Sequence, residues 1–216
     1  MANYPAPWSL KGKGYIILYK FRKDFVQNNA NLPEFLKDHF IGGLGSVMLV
    51  DYSSSDVGPY GEFLLIPGKF QHRDRKLNTI SKIFVSTMES VLNGQENWGI
   101  PKEQADFNFQ SINKNNERVQ ISINGTSIAD MTLKSFGVKF PVNTKLLPFP
   151  LVQKHDNKYF YTQFFGGGIG QLAKIDHISI NSQLFPDISS IKPIAVIKVN
   201  PFNITFPVPI IESLND

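Results

Sequence analysis

Short β-branched and aromatic runs, cut off by glycine, proline or polar turn residues about every ten positions, recur along this chain. That punctuation leaves room for few helices, and only short ones, and argues for an all-β barrel or sandwich. Residues 14–21, 46–52, 62–66, 80–85, 159–165, 172–180 and 193–199 are the predicted strands. Phe107 and Phe109 alternate with polar residues, as do Val119, Ile121 and Ile123. Asn124-Gly125 is a strong two-residue hairpin signal, with 128–133 as the returning strand. Two short helices are predicted. Residues 33–40 place Phe35, Leu36, His39 and Phe40 at helical spacing behind Pro33, and glycines 42, 43 and 45 end the run. Ser86-Thr87-Met88-Glu89 fits a capping box that opens a helix to about residue 93, with Gly94 as its stop. The proline-rich stretch 141–150 reads as a long connection, and 210–216 as an end that frays.

Composition narrows the function classes. A chain of 216 residues with 42% hydrophobic and 19% charged residues suits one folded domain, 1–216, with a substantial core. Eighteen phenylalanines suggest an aromatic-lined interior. The net charge of +4 is mild and the basic residues are scattered, so no nucleic-acid surface is expected. The densest basic run, His72-Arg73-Asp74-Arg75-Lys76, reads as a solvated loop. The absence of cysteine excludes disulfides, a thiolate nucleophile and cysteine-bound metal. Histidines 39, 72, 155 and 177 form no pair at metal-ligand spacing, so no metal is expected. No apolar stretch approaches the roughly 20 residues of a membrane span, and no leader pattern opens the sequence. A soluble, cytoplasmic protein is the expectation. Gly166-Gly167-Gly168-Ile169-Gly170 departs from the dinucleotide pattern and reads as a tight turn or close backbone packing at a barrel mouth.

The chemistry concentrates at Asn97-Trp98-Gly99-Ile100-Pro101-Lys102-Glu103. Gly99 and Pro101 set the backbone there, and Pro101 pushes Ile100 into an extended conformation. A lysine presented from such an apolar turn can lose its water, which disfavours the ammonium, and a neutral amine is a nucleophile towards carbonyl carbon.

The segment 94–102, Gly-Gln-Glu-Asn-Trp-Gly-Ile-Pro-Lys, resembles the glycine-to-Pro-Lys segment of the acetoacetate decarboxylase family. Val57-Gly58-Pro59-Tyr60-Gly61-Glu62 is similar to that family's glycine-tyrosine-glutamate segment. Pro5-Ala6-Pro7-Trp8 with Gly14-Tyr15 resembles its start, and Phe206-Pro207-Val208-Pro209 its end. The motifs fall in the family's order over nearly the whole chain. The resemblance implies a conical β-barrel around a small-molecule cavity, a homo-oligomer, and decarboxylation of a keto acid through a lysine Schiff base, with no cofactor because the iminium is the electron sink.

On that resemblance Lys102 is the Schiff-base lysine and Glu62 one of two acids, handling protons or positioning water. Trp98, Tyr60, Phe63 and Glu103 are the expected substrate-binding residues. Three positions depart from the family pattern. Glu103 stands where the family has a second lysine, the segment 44–50 holds no acid, and no arginine lies near 11–13, where Lys13 is the nearest substitute. The residues leave two functions open. One is a lyase acting on a keto acid or other carbonyl compound. The other is a non-catalytic barrel that binds a small apolar or carbonyl ligand, with Lys102 held as an ammonium by Glu62.

Overall fold

The computed structural model describes residues 2–146 and 148–214. In chain order the elements are β1 (Trp8–Tyr19), α1 (Lys23–Asn29), a 3-10 turn (Glu34–Leu36), β2 (Phe40–Gly42), β3 (Gly45–Ser54), β4 (Tyr60–Ile66), β5 (Lys69–His72), β6 (Arg75–Asn78) and β7 (Lys82–Val85). There follow α2 (Met88–Trp98), β8 (Lys102–Gln104), β9 (Asp106–Ser111), β10 (Asn116–Ile123), β11 (Thr126–Asn143), β12 (Leu151–His155), β13 (Lys158–Thr162), β14 (Phe165–Ile180), β15 (Ala195–Phe206) and β16 (Ile210–Ser213). The mostly-β class expected from the punctuation holds.

Ten strands form one sheet in the order β8-β7-β4-β3-β1-β15-β14-β11-β10-β9, and six form a second, β16-β13-β12-β6-β5-β2. The two edges of the large sheet, β8 and β9, are separated in sequence by Ala105 alone. Ala105 donates its N–H to the Val85 carbonyl at 2.9 Å. The chain therefore steps from one edge to the other within a single residue, and the sheet curls into a nearly closed barrel. The curl brings distant strands together: a Cβ on Gly61 of β4 would lie 2.8 Å from the ring of Phe107 on β9, so that close approach requires glycine.

Both faces of the central strands are apolar, so the sheet serves two cores. On β4, Phe63 and Leu65 enter one core with Tyr15, Ile17, Val119 and Met131. Tyr60, Leu64 and Ile66 enter the other with Trp8, Trp98 and Leu151. In the first core a single carboxylate ties three strands across the curl. Glu117 of β10 accepts from Tyr15 Oη at 2.6 Å and Lys13 Nζ at 2.9 Å on β1, and pairs with Lys198 Nζ at 2.7 Å on β15. Burial opposes the charge on Glu117, but hydrogen bonds from Lys198, Tyr15 and Lys13 outweigh it and hold the carboxyl down at about 2.

The structure corrects several boundaries. The predicted helix at 33–40 is only the 3-10 turn, because Pro33 and Lys37 are extended (ψ 146° and 138°) and Asp38 has φ 64°. The helix α1 precedes it, and escapes the periodicity reading because its only fully buried residue is Val26. In α2 the cap is Thr87, whose oxygen accepts from the Ser90 N–H, while the Ser86 hydroxyl accepts from Gly61 N–H instead. Gly94 does not stop α2; the left-handed Gly99 (φ 63°) does. The stretch 141–150 begins inside β11, whose Lys139–Asn143 portion pairs with 167–171 of β14. Residue 147 of that stretch lies outside the described residues. So do 215 and 216 of the predicted fraying end, where 210–213 pair with β13 as β16.

Replacing Glu117 with Gln should lower stability at neutral pH by about 2 kcal/mol in urea titrations, the scale of a few charge-assisted hydrogen bonds. The folded-state pKa is depressed, so this stability is full above the unfolded value of 4.5 and is lost as pH falls towards about 2. The gap between wild type and Glu117→Gln should narrow across that window.

Candidate active site

Lys102 opens β8, which runs parallel to β7 with Lys102 opposite Ile83. Alternation along the strand sends neighbouring side chains to opposite sides. Lys102 turns inward and is 4% exposed, while Glu103 turns outward and pairs with Lys82. The ammonium position is defined by four contacts. Nζ donates to Glu62 Oε2 at 3.1 Å and to Ser90 Oγ at 3.0 Å. It also lies 5.1 Å from the Tyr60 ring centroid and 5.9 Å from that of Trp8, within cation–π range.

The stem is fitted as closely as the head. Lys102 crosses α2 at Gly94, where an added Cβ would lie 2.7 Å from Lys102 Cδ. Glycine costs a helix interior about 1 kcal/mol relative to alanine, so its place here is set by the lysine and not by the helix. Gln95 Nε2 donates to the Lys102 carbonyl at 2.9 Å and fixes the backbone from the same helix. Gly99 then reverses the chain so that Pro101 and Lys102 run back along β7.

Glu62 sits in the middle of β4, opposite Val50 and Val85. Its second oxygen, Oε1, accepts from Tyr52 Oη at 3.1 Å. Tyr52 and Tyr60 are cross-strand partners with ring centroids 4.6 Å apart. Burial first, and then the Glu62 carboxylate, pushes both phenols well above their ordinary range, so both remain protonated. Trp98 closes the back of the site: it meets Trp8 edge-on at 4.9 Å and donates its indole N–H to the Pro207 carbonyl at 2.7 Å.

A cavity of about 380 Å³ lies against the Glu62 face of β1, β3, β4 and β15. Its roof is the arm formed by the end of β11 and the start of β14, which bends away after the irregularity at 135–139, where Gly137 has φ 73°. Phe140 and Val142 hang from that arm, and Gly170 makes room for both. Glu62 and Tyr52 belong to the wall, and Lys102 lies one hydrogen bond behind it.

Of the residues singled out in the sequence, Lys102, Glu62 and Tyr60 come together, and Trp98 packs behind them through Trp8. Phe63 does not line the cavity. It faces the other core, stacked on Phe185 at 4.1 Å, because odd and even positions of β4 point to opposite faces. Glu103 is likewise turned away from the site. Lys13, the stand-in for the missing arginine, is held by Glu117 and Asp51. Ser90, Tyr52, Gly94 and Trp8 were not singled out for this site. Ser90 and Gly94 stand four apart on one face of α2, a signal available once the helix is known to run past Gly94. Among the described residues no cluster of three or more His, Asp or Glu side chains is placed to hold a metal ion. No helix among them is long and apolar enough to cross a membrane.

Removing one partner of a buried pair leaves an uncompensated charge and costs about 3–5 kcal/mol. Lys102→Met and Glu62→Leu should each destabilise on that scale, and the double variant should lose less than the sum of the two, as a double-mutant cycle in urea will report. Gly94→Ala, stabilising in an ordinary helix, should here cost about 1–3 kcal/mol through overpacking against Lys102.

The model of the family described as acetoacetate decarboxylase matches residues 1–168. No curated protein sequence matches the chain. Among solved structures, acetoacetate decarboxylase from Legionella pneumophila superposes with a TM-score of 0.75 at 15% identity, over 99% of this chain and 90% of that one. The enduracididine biosynthesis enzyme MppR complexed with pyruvate gives 0.63 at 14% identity, over 98% and 91%. An acetoacetate decarboxylase-like enzyme from Sphingomonas wittichii gives 0.64 at 12% identity, over 97% and 94%. With motifs in family order, a matching barrel and a family model covering most of its length, the chain belongs to the acetoacetate decarboxylase family.

Proposed function

We propose that the chain is a small-molecule enzyme that takes a carbonyl compound into the cavity and joins it to Lys102 as a Schiff base, in the manner of an acetoacetate decarboxylase-like lyase. The observation that carries this reading is the buried Lys102–Glu62 pair at the inner wall of a ligand-sized cavity. The structure of MppR with pyruvate, a protein of similar fold bound to a small keto acid, supports it by analogy of fold.

In this scheme the Lys102 ammonium passes a proton to Glu62 along their hydrogen bond, turning a charge pair into a neutral one. The amine then adds to the carbonyl carbon. The oxygen takes one proton back from Glu62 and a second from the nitrogen, and leaves as water. The resulting iminium takes up the electrons of a neighbouring bond as that bond breaks, its fragment leaving as carbon dioxide from a β-keto acid. Glu62 relays a proton from water to the enamine carbon, and water then hydrolyses the imine to release the product and Lys102. Glu62 lies between Lys102 and the cavity, so it swings aside from Lys102 for the carbonyl to reach Nζ. Ser90 keeps the nitrogen in place meanwhile, and the Tyr52 hydroxyl follows the carboxylate.

A second reading has its own observation. Lys102 is fully engaged by Glu62 and Ser90, and the adjoining position carries Glu103 where the family has a second lysine. An ammonium so held makes the barrel a binding protein for an apolar or carbonyl ligand.

Borohydride trapping separates the two. Wild type incubated with keto acids and simple ketones, reduced and digested, should carry one carbonyl adduct mapped to Lys102. Lys102→Arg, which keeps the cation but cannot form an imine, should carry none at that position. Absence of any Lys102 adduct in folded wild type with every compound sinks the enzyme reading in favour of the binding one.

A further inference from the structure

The lining of the cavity constrains what it accepts more tightly than Lys102 does. Met48, Val50, Leu64, Ile66, Phe140 and Phe202 are typical of its walls. Among the described lining residues Glu62 is the only charged one, and there is no lysine, arginine or histidine. On and beside the strands that carry the wall, Lys13 and Lys198 are committed to Glu117, Lys82 to Glu103 and Lys102 to Glu62, while Lys139 and Lys145 of the roof arm are exposed and are not lining residues.

A carboxylate brought into this space meets no cation among the described lining residues. Burying an unpaired charge is strongly unfavourable, and here the one charge on the wall has the same sign. The volume of about 380 Å³ has room for about a dozen water-sized groups at ~30 Å³ each. Apolar walls offer water few hydrogen bonds, so a molecule with an apolar body displaces it with gain. At the inner end the polar groups are Glu62 and Tyr52, with Asn143 and Thr144 on the roof arm, and a neutral carbonyl oxygen at the inner end accepts the Tyr52 hydroxyl hydrogen in exchange for the bond that hydroxyl now gives Glu62.

From the lining we infer that this pocket is built for a neutral, hydrophobic carbonyl compound, a long-chain or aryl ketone or aldehyde, and not for a small keto acid. The inference rests on the Schiff-base reading for what happens at Lys102, but not for what the cavity binds. The carbonyl group sits against Glu62 and Tyr52, and the tail runs outward beneath Phe140 and Val142. On reaction, the Lys102 nitrogen bonds to the carbonyl carbon and the C–O bond breaks. The protons lost by nitrogen leave on the departing water, so ketone and amine give imine and water with no other reagent.

The test compares four compounds: methyl ethyl ketone, methyl nonyl ketone, acetoacetate, and the β-keto acid carrying the same nonyl tail. Each is titrated into wild type and Lys102→Arg by tryptophan fluorescence, and each is carried through borohydride trapping. Each buried methylene tightens binding about fourfold. Methyl nonyl ketone should therefore bind more than a hundredfold tighter than methyl ethyl ketone, and at least tenfold tighter than the nonyl keto acid. Met48→Arg, which adds a cation to the wall, should reverse the second preference. Tight binding of methyl nonyl ketone with no Lys102 adduct from any of the four compounds upholds the cavity inference and ends the Schiff-base reading. An adduct or carbon dioxide release confined to acetoacetate or the nonyl keto acid upholds the Schiff base and overturns the inference. Equal binding of short and long ketones, or no binding of any, overturns the inference as well.

Discussion

An ammonium taken out of water must be met by opposite charge and hydrogen bonds, and the arrangement around Lys102 follows from that requirement. Glu62 supplies the charge, Ser90 a further acceptor, and Tyr60 and Trp8 their ring faces. Glu62 in turn is an acid in the middle of an apolar strand, where Lys102 and the Tyr52 hydroxyl both approach it. Either residue alone would leave a buried charge without its partner, so each makes the other tolerable. The flanking choices are subordinate to this pair. Gly94 leaves α2 open for the lysine stem, Gly99 turns the chain back, and Pro101 starts the extended run that carries Lys102 inward.

The sheet makes such a site possible by being apolar on both sides. One face fills the barrel and is cross-tied by Glu117, and the other carries the pair and the cavity. A strand buried on both faces gives no polar-apolar alternation to read, which is why β4 looks like a plain apolar run in sequence. It also explains why Glu62 and Phe63, adjacent in the chain, serve different cores. The same geometry sends Glu103 outward to Lys82, so the replacement of a lysine by an acid beside Lys102 leaves the buried pair undisturbed.

The legible part of the fold was what local chemistry decides. The strands at β3, β4, β13 and β15 were visible from β-branched and aromatic runs, and the Asn124-Gly125 turn from its demand for positive φ, met at 49° and 77°. The helices were harder, because α1 buries little and Gly94 imitates a stop signal while serving Lys102. In the site, Lys102 stood out for its apolar, rigid turn, and Lys102 and Glu62 together for the family motifs that their segments resemble. Ser90 and Tyr52 did not, since a serine in a helix and a tyrosine in a strand are ordinary until the partner strand is known. The register that aligns Tyr52 with Tyr60, and brings both to Glu62, is set by how the turn at 55–59 closes the β3–β4 hairpin, which the pattern of apolar residues does not state.

The pairing of β1 with β15 has a bearing on how the molecule comes into being. Trp8 lies opposite Phe206 and Leu18 opposite Ala195, so the middle of the large sheet is made from segments near opposite ends of the described chain. Contacts of such sequence separation slow folding, because the loop must close before they contribute. On a ribosome the barrel has no central seam until β15 has emerged. The wall that shields Lys102 and Glu62 includes Trp8 and Phe206, so during synthesis the Lys102 side chain stays wet, and it acquires its distinctive surroundings only when the whole sheet closes.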